Sequence, residues 1–385
     1  MAVPSDLILT LNQEAKARAA QGIDITNATI GMFFDDEGKL PVAPIFSSAN
    51  YVNENYFAYS SIAGELGYIK RVLPWFFGED ADRFETPRTC ATPGGTGAIS
   101  LAFHDIKLAG FEPIVLSVCW PNYFTIAKFH GLTLKQINNF EGGRLDIRSM
   151  RKAFLSSSKP CLIINDPCHN PTGYSMDETD WNAVVDLLNM KNEESALILD
   201  IAYLDFAGPG ASKRIADAIA KIDSSVPIYV CSSFSKTFSI YGLRLGALSL
   251  LNMGKDSYAR IKQSARACWS NCNMMAMSIL RDAFASQEEI AKLKSWIEEN
   301  RKTIEGRASI FINEANEVGL KLEPYKHGFF ATAVVPDAFA TALKLKDQNI
   351  FVVPSSEHLV RVAFSCVPTP KIPGLAKAIK IASED

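Results

Sequence analysis

Five short apolar runs in the middle of the chain constrain its fold more than any other feature. Each is rich in isoleucine, leucine and valine and is apolar on both faces: Pro113 to Val118, Cys161 to Asn165, Ala196 to Ile201, Pro227 to Cys231 and Arg244 to Ser249. Such runs suit strands that are buried between helix layers. The connecting segments carry apolar residues at helical spacing, as in Asp177 to Lys191. The sequence therefore predicts an α/β fold with a mostly parallel sheet between helices, whose ligands bind at the carboxyl ends of the strands.

The C-terminal part of the chain predicts a second, smaller α+β domain. Ser286 and Glu289 form a capping-box pattern, from which a long amphipathic helix runs toward Gly319. Two strand-like runs follow, Phe329 to Val334 and Leu359 to Phe364. A chain of 385 residues also exceeds what one hydrophobic core usually fills. We therefore expect two lobes.

Charge and cysteine content exclude several functional classes. The 39 lysines and arginines nearly balance the 42 aspartates and glutamates, which leaves a net charge of -3, so the basicity typical of proteins that bind nucleic acid or anionic membranes is missing. No apolar stretch is long enough to span a bilayer, and the N-terminus does not resemble a secretory signal. The eight cysteines show no paired CxxC spacing. We expect a cytoplasmic protein that acts on small molecules, without a metal, nucleic acid or membrane partner.

A glycine-rich segment, Thr92-Pro-Gly-Gly-Thr-Gly-Ala98, precedes a predicted helix over Ile99 to Leu108. Glycines at a helix N-terminus let backbone N–H groups close on an anion, and the helix dipole favours a phosphate there. By itself the segment is as consistent with a turn that binds nothing. Its spacing matches a dinucleotide fingerprint only in part, because Ser100 replaces the third glycine.

Four further segments hold polar side chains that a core would not choose. Asn165 to Gly173 ends a strand with turn formers, and Asp200 interrupts an apolar strand, where a carboxylate needs a cationic partner. Lys236 lies among hydroxyls and aromatic residues, a setting in which a lysine can lose its proton and become a nucleophile. Arg361 lies inside a β-run, either on an exposed face or as a carboxylate clamp.

In order and spacing, these segments resemble the fold type I pyridoxal-phosphate aminotransferases, and specifically the aspartate and aromatic aminotransferase branch. The likeness extends from Gly31 to Arg361. Its most specific parts are Cys168-His-Asn-Pro-Thr-Gly173 and the Ser-Phe-Ser-Lys stretch that ends at Lys236, with Arg244 in register.

The resemblance implies an architecture and an activity. A large cofactor-binding domain would cover residues 45–283, and a small domain would combine residues 1–44 with 284–385. The cofactor would be pyridoxal 5'-phosphate, and the molecule a homodimer with shared active sites. The reaction would move an amino group between an L-amino acid and a 2-oxo acid, such as 2-oxoglutarate, by a ping-pong mechanism.

The resemblance also assigns roles around the cofactor ring. Lys236 would hold the cofactor covalently and, once displaced by the substrate amine, carry a proton. Asp200 would bond the pyridine nitrogen, which is the cation that its carboxylate requires. Asn170 and Tyr203 would bond the phenolic oxygen, and Trp120 would stack on the ring face.

The remaining roles concern the phosphate and the substrate. Four residues would bind the phosphate: Gly95, Thr96, Ser233 and Arg244. Tyr59 matches the family tyrosine that reaches the phosphate of the neighbouring subunit, which implies a dimer. Arg361 would bind the substrate α-carboxylate, with Gly31 and Asn170 close by.

One match departs from the family pattern. Arg266 matches the distal arginine that a partner subunit lends to the substrate side chain, but Cys272 and Asn273 replace the two prolines that follow in the family. Arg266 is therefore as consistent with a surface residue as with a carboxylate binder. With Arg266 in the site, aspartate and glutamate are the expected substrates, and aromatic amino acids are second donors.

The sequence leaves one alternative open and argues against two others. A pyridoxal-phosphate lyase or decarboxylase on the same fold would keep Lys236, Asp200 and Arg244. A nicotinamide dehydrogenase would need an acidic residue at the end of the strand after the glycine-rich turn, where Val115 to Cys119 offers none. A non-catalytic regulator would need a DNA-binding module, for which the chain has no spare length or basic segment.

Overall fold

The structure, a computed structural model, describes residues 7–47, 54–84 and 87–384. Its α-helices are α1 (Leu7–Ala20), α2 (Pro44–Ser47), α3 (Leu66–Ile69), α4 (Val72–Phe77), α5 (Gly94–Leu108), α6 (Asn122–Phe129), α7 (Ile147–Leu155), α8 (Glu178–Asn189), α9 (Ala211–Ile219), α10 (Phe234–Thr237), α11 (Lys255–Cys268), α12 (Met274–Ala283), α13 (Gln287–Glu317), α14 (Ala338–Asp347) and α15 (Leu375–Glu384). Its strands are β1 (Thr26–Asn27), β2 (Arg88–Pro93), β3 (Glu112–Leu116), β4 (Lys135–Ile137), β5 (Phe140–Glu141), β6 (Arg144–Leu145), β7 (Pro160–Asn165), β8 (Ala196–Asp200), β9 (Ile228–Ser233), β10 (Leu245–Leu251), β11 (Ala331–Val334), β12 (Ile350–Phe351), β13 (Val353–Pro354) and β14 (Leu359–Val362).

A seven-stranded sheet in the order β2-β10-β9-β8-β7-β3-β4 forms the centre of the molecule. The strands from β9 to β4 in this order are parallel, whereas β10 is antiparallel to both of its neighbours. β2 therefore runs in the same direction as β9. The carboxyl ends of the six other strands meet at one edge of the sheet, which is the edge where β10 begins. The predicted mostly parallel α/β sheet is confirmed.

The predicted strands and the observed ones differ chiefly at the borders of this sheet. All five apolar runs form strands, and no end shifts by more than two residues. The sequence did not predict β2 and β4, the two edge strands. β2 has the sequence Arg-Thr-Cys-Ala-Thr-Pro, which lacks the large apolar residues that marked the central strands.

Alternating side chains of the central strands pack into two hydrophobic cores, one on each face of the sheet. In β8, Leu197 and Leu199 pack into one core and Ile198 into the other. α5 contributes Phe103 to the second core, and α8 contributes Val184 to the first. Burial on both faces explains why these strands are apolar throughout.

The C-terminal part of the chain forms two smaller sheets, one of which includes a strand of the N-terminal segment. Its antiparallel sheet has the order β11-β14-β13, and β1 pairs in parallel with β12. α13 begins after Ser286, whose hydroxyl accepts the Glu289 N–H. This arrangement is consistent with two domains, and the boundaries at residues 45 and 283 stay predictions. Within the described ranges, no helix is both long and apolar enough to cross a membrane.

Candidate active site

The candidate site lies at the edge of the main sheet where the parallel strands end. Asn165 ends β7, Asp200 ends β8 and Ser233 ends β9. Lys236 follows in α10, directly after β9, and Arg244 directly precedes β10. Asn165, Asp200 and Ser233 meet because their strands are parallel and end at the same edge. Arg244 joins them because β10 is antiparallel to β9 and begins where the parallel strands end.

A cavity of about 340 Å³ opens at this edge. All but two of the residues that the sequence singles out line it: Gly31, Gly95, Thr96, Trp120, Asn170, Asp200, Tyr203, Ser233, Lys236, Arg244 and Arg361. In this described lining, Asp200 is the one acidic side chain, against the cations of Lys236, Arg244 and Arg361. The charge balance favours an anionic ligand.

Lys236 has an amine whose environment disfavours the charged form. Its Nζ donates a hydrogen bond of 2.8 Å to the backbone carbonyl of Gly31, a neutral oxygen. Burial, reinforced by the positive charges of Arg244 and Arg361, lowers the pKa of Lys236 to about 7. A substantial fraction of this amine is therefore neutral, and hence nucleophilic, near neutral pH.

Asp200 is a buried carboxylate that accepts hydrogen bonds from two neighbouring donors. Its Oδ2 accepts a bond of 2.6 Å from the Tyr123 hydroxyl, and its Oδ1 accepts a bond of 3.1 Å from the Ala202 N–H. Burial raises the pKa of Asp200 to about 6, and both bonds oppose that rise. A carboxylate held in this way at a cavity wall can accept a further bond from a cationic N–H.

Arg244 and the start of α5 form the second positive region of the cavity. The guanidinium donates to the Ser235 hydroxyl and to two backbone carbonyls, at 2.8 to 3.2 Å. All three acceptors are neutral, and no carboxylate among the residues that the structure describes forms an ion pair with Arg244. Gly94 makes room for it: a Cβ there would lie 2.4 Å from Arg244 Nη2. Gly95 and Thr96 follow in the first turn of α5, where the helix dipole adds positive potential.

Arg361 lies in β14 and is 3% exposed. Its guanidinium donates to Asn170 Oδ1 at 3.3 Å and to the Thr29 carbonyl, and it stacks 4.7 Å from the centre of the Phe330 ring. Burial lowers its pKa to about 10. Its Nε is buried and finds no hydrogen-bond partner in the described part of the chain. A buried guanidinium with an unused donor fits a ligand carboxylate.

Sequence reasoning missed several residues of the site. Asn165, Ser235 and Tyr241 line the cavity, and Lys236 Nζ lies 4.7 Å from the centre of the Tyr241 ring. These three lie inside segments that the sequence had already marked. Tyr123, by contrast, reaches Asp200 from the neighbouring helix α6, and no local pattern distinguishes it from a core tyrosine.

Comparison with known proteins decides the family. Residues 24–379 match the family described as aminotransferase class I and II. The chain belongs to this family. It is an aminotransferase with a fold type I architecture, and the family uses pyridoxal phosphate.

Relatives and solved structures of this aminotransferase agree with the match. It is 27% identical to the aspartate aminotransferase of Pseudomonas aeruginosa, over 83% of this chain and 82% of the relative. It is 27% identical to the aromatic-amino-acid aminotransferase of Escherichia coli, over 69% and 68%. The crystal structure of an aminotransferase from Anaerococcus prevotii superposes with a TM-score of 0.91 at 30% identity, over 100% of this chain and 97% of the other. These comparisons give no support to the lyase or decarboxylase alternative.

A neighbour of the same fold carries the cofactor. The aromatic-amino-acid aminotransferase of Burkholderia pseudomallei, covalently bound to pyridoxal phosphate, superposes with a TM-score of 0.83 at 22% identity, over 100% of this chain and 98% of the other. The cavity of the present aminotransferase fits that cofactor, because Arg244 bonds to neutral oxygens and leaves its charge for an anion, while Lys236 supplies an amine with a lowered pKa for a covalent bond. The space at Gly94 is taken up by the Arg244 guanidinium, which keeps this charge beside the helix N-terminus.

Tyr59 and Arg266 are the two predicted site residues that lie outside the cavity lining. Tyr59 is 90% exposed. Arg266 is also exposed, near the end of α11, and donates to the Ser270 hydroxyl. Asn271 links the two regions, because its side-chain amide donates to the carbonyls of Ser60 and Ser61. Within one chain, neither residue belongs to the cavity.

Proposed function

We propose that this aminotransferase binds pyridoxal 5'-phosphate at Lys236 and transfers the amino group of dicarboxylic L-amino acids to 2-oxo acids such as 2-oxoglutarate. The observation that carries the proposal is the convergence, in one cavity, of a lysine with a lowered pKa, a buried carboxylate and two arginines that form no ion pair with an acidic residue in the described part of the chain. When bound, the cofactor would supply an electron sink for the substrate's Cα.

Each residue around the cofactor ring would have a role that follows from its position in the cavity. The neutral Lys236 amine is the nucleophile that would hold the cofactor, and it is also the group that can carry a proton at the substrate's Cα. Asp200 would bond and stabilise a protonated ring nitrogen, since a buried carboxylate favours a cationic partner. Asn170 and Tyr203 would bond the phenolic oxygen, and Trp120 would cover the ring face.

The two arginines suit the two anionic ends of the ligands. Arg244, with Gly95, Thr96 and Ser233, would hold the phosphate at the N-terminus of α5. Arg361 would hold the substrate α-carboxylate, and its buried, unpartnered Nε supports this assignment. Arg361 binds a group that all amino acids share, so substrate choice must come from the side-chain end of the cavity.

Substrate choice would involve a second subunit. The named relatives act on aspartate or on aromatic amino acids, according to their descriptions. Arg266 lies outside the cavity of its own chain, and in a homodimer it would reach the partner's cavity and pair with a side-chain carboxylate. Tyr59 would likewise reach the partner's phosphate site. We expect aromatic amino acids to serve as second donors.

The cellular compartment and the extent of the large domain are also proposed from the structure. All eight cysteines are free and six of them are buried, which supports a reducing, cytoplasmic compartment. The proposed large domain, residues 45–283, contains the whole seven-stranded sheet.

The experiment that tests the proposal is covalent trapping. The purified protein is incubated with pyridoxal phosphate, reduced with borohydride, digested and mapped for the pyridoxyl peptide. The adduct is expected on Lys236, and Lys236→Ala should abolish both the adduct and turnover without unfolding the protein. An adduct on another lysine, or none after reconstitution, would contradict the proposal.

A further inference from the structure

We propose that Asp205 is a positioning residue for Lys236, and that it acts through a hydrogen bond to Thr237. The inference rests on the proposed role of Lys236 as the residue that holds the cofactor. Asp205 does not line the cavity, so any effect on Lys236 must pass through its neighbours.

The contacts tie two functional segments together. Asp205 lies just beyond β8, in the 3-10 turn Leu204–Phe206, two residues after Tyr203. Its Oδ2 accepts a hydrogen bond of 2.7 Å from the Thr237 hydroxyl. Thr237 is the residue after Lys236 and is 1% exposed. One carboxylate oxygen therefore joins the segment that carries Asp200 and Tyr203 to the segment that carries Lys236.

The helix that carries Lys236 needs such a contact because it is short. α10 spans the four residues Phe234–Thr237, too few for its own backbone bonds to fix its orientation. Phe234 and Phe238 anchor it in an aromatic cluster, with ring centres 5.7 Å apart. Apolar packing is non-directional, whereas a hydrogen bond to a carboxylate prefers a narrow range of angles. The bond from Thr237 can therefore select one rotation of the helix.

Trp75 is a second donor to the Asp205 carboxylate. Its Nε1 donates to the same Oδ2 at 3.2 Å, and its ring stacks on Phe284 with centres 4.7 Å apart. Trp75 also packs against Phe238, at 5.2 Å between ring centres. The indole is thus fixed by the aromatic cluster and presents its N–H to Asp205.

Three neighbouring groups stabilise the negative charge on the Asp205 carboxylate against the effect of burial. Burial is the main influence and raises the pKa of Asp205 to about 6, while the bonds from Thr237 and Trp75 and the charge of Lys294 on α13 oppose it. A carboxylate that is ionised and partly desolvated makes strong hydrogen bonds to its donors, which suits a positioning role.

The test separates positioning from ordinary stabilisation. Asp205→Leu and Thr237→Val each remove one side of the bond, and Asp205→Asn and Thr237→Ser retain an acceptor and a donor, respectively. The apoenzymes are mixed with pyridoxal phosphate across neutral to alkaline pH, and borohydride trapping followed by peptide mapping gives the rate of adduct formation at Lys236. Thermal unfolding of each variant is measured in parallel.

We expect Asp205→Leu and Thr237→Val each to slow trapping by about fivefold or more, and the double variant to be no slower than either, since residues that act through one contact are not additive. The two conservative variants should restore most of the rate. If Asp205→Leu does not fold, Thr237→Val with Thr237→Ser carries the same comparison.

Asp105 provides the matched control. Its carboxylate is 1% exposed and accepts bonds from the Tyr229 hydroxyl and from Arg260, away from the cavity lining. Asp105→Leu should lower the unfolding temperature and leave the trapping rate at Lys236 unchanged. The inference would be overturned if the folded Asp205 and Thr237 variants trap pyridoxal phosphate at the wild-type rate. It would also be overturned if they slow trapping no more than Asp105→Leu does. A wild-type protein that traps nothing at Lys236 would instead contradict the proposed function.

Discussion

At the scale of single residues, the Tyr123 phenol is one of the groups that favour the ionised form of Asp200 against the effect of burial. The Tyr123 hydroxyl donates to the charged carboxylate, so its removal favours the protonated form. We expect Tyr123→Phe to move the titration midpoint of Asp200 upward from its value of about 6. The shift should be about one pH unit or more, because hydrogen bonds to charged groups contribute about 1.5–3 kcal/mol. Carboxyl-carbon NMR titration of the apoenzyme, with Asp200→Asn to assign the signal, measures it.

Tyr229→Phe is the control for this titration. Tyr229 makes the same kind of bond, at 2.8 Å to Asp105, and is as buried as Tyr123. The Tyr229→Phe substitution should leave the titration midpoint of Asp200 unchanged. An unchanged midpoint in Tyr123→Phe would show that the phenol does not stabilise the carboxylate.

At the scale of elements, the start of α5 contains a glycine that makes room for the Arg244 guanidinium. Gly94 has a φ of 74°, and a Cβ there would meet the Arg244 guanidinium at 2.4 Å. We expect Gly94→Ala to displace Arg244 and to weaken pyridoxal phosphate binding by about tenfold or more, as for the loss of one charge-assisted bond. Equilibrium titration of the apoenzyme with the cofactor measures the change in Kd.

Gly110, just beyond the other end of α5, separates the two effects of an added methyl group. Its φ is 75°, and nothing lies within 4 Å of a Cβ built on it. Gly110→Ala should cost about 1–2 kcal/mol of stability through the left-handed backbone alone and leave the Kd unchanged. Equal losses of affinity in both variants would mean that backbone strain, and not the displaced guanidinium, weakens binding.

At the scale of the whole molecule, the placement of Tyr59 and Arg266 predicts complementation between chains. Both are exposed and lie outside the cavity of their own chain. If Arg266 serves the partner's cavity, inactive Lys236→Ala and inactive Arg266→Ala chains should regain activity toward aspartate when they are unfolded together and refolded. Equal mixing should restore about a quarter of the wild-type sites, because half of the dimers are hybrids with one intact site each.

Lys236→Ala mixed with Asp200→Ala is the matched control for complementation. Both residues line one cavity of the same chain, so every site in a hybrid keeps one defect and no activity should return. Full activity from a verified monomer, or no gain in the Arg266 mixture, would contradict the shared site. Wild-type selectivity for dicarboxylates in Arg266→Ala would make Arg266 a surface residue.

The sequence by itself determined the fold class and most of the cavity lining. Strands buried on both faces must be apolar throughout, so β7, β8 and β9 could be read directly, and the polar residues at their ends marked the site. Edge strand β2 was not predicted because its buried residues, 89–92, are small or polar and form no run of large apolar side chains. The tertiary structure alone decided that Tyr123 bonds Asp200 and that Asp205 bonds Thr237. Such contacts join elements whose approach depends on packing across the whole sheet, and no local pattern encodes a distance between a helix and a strand or between a turn and a helix.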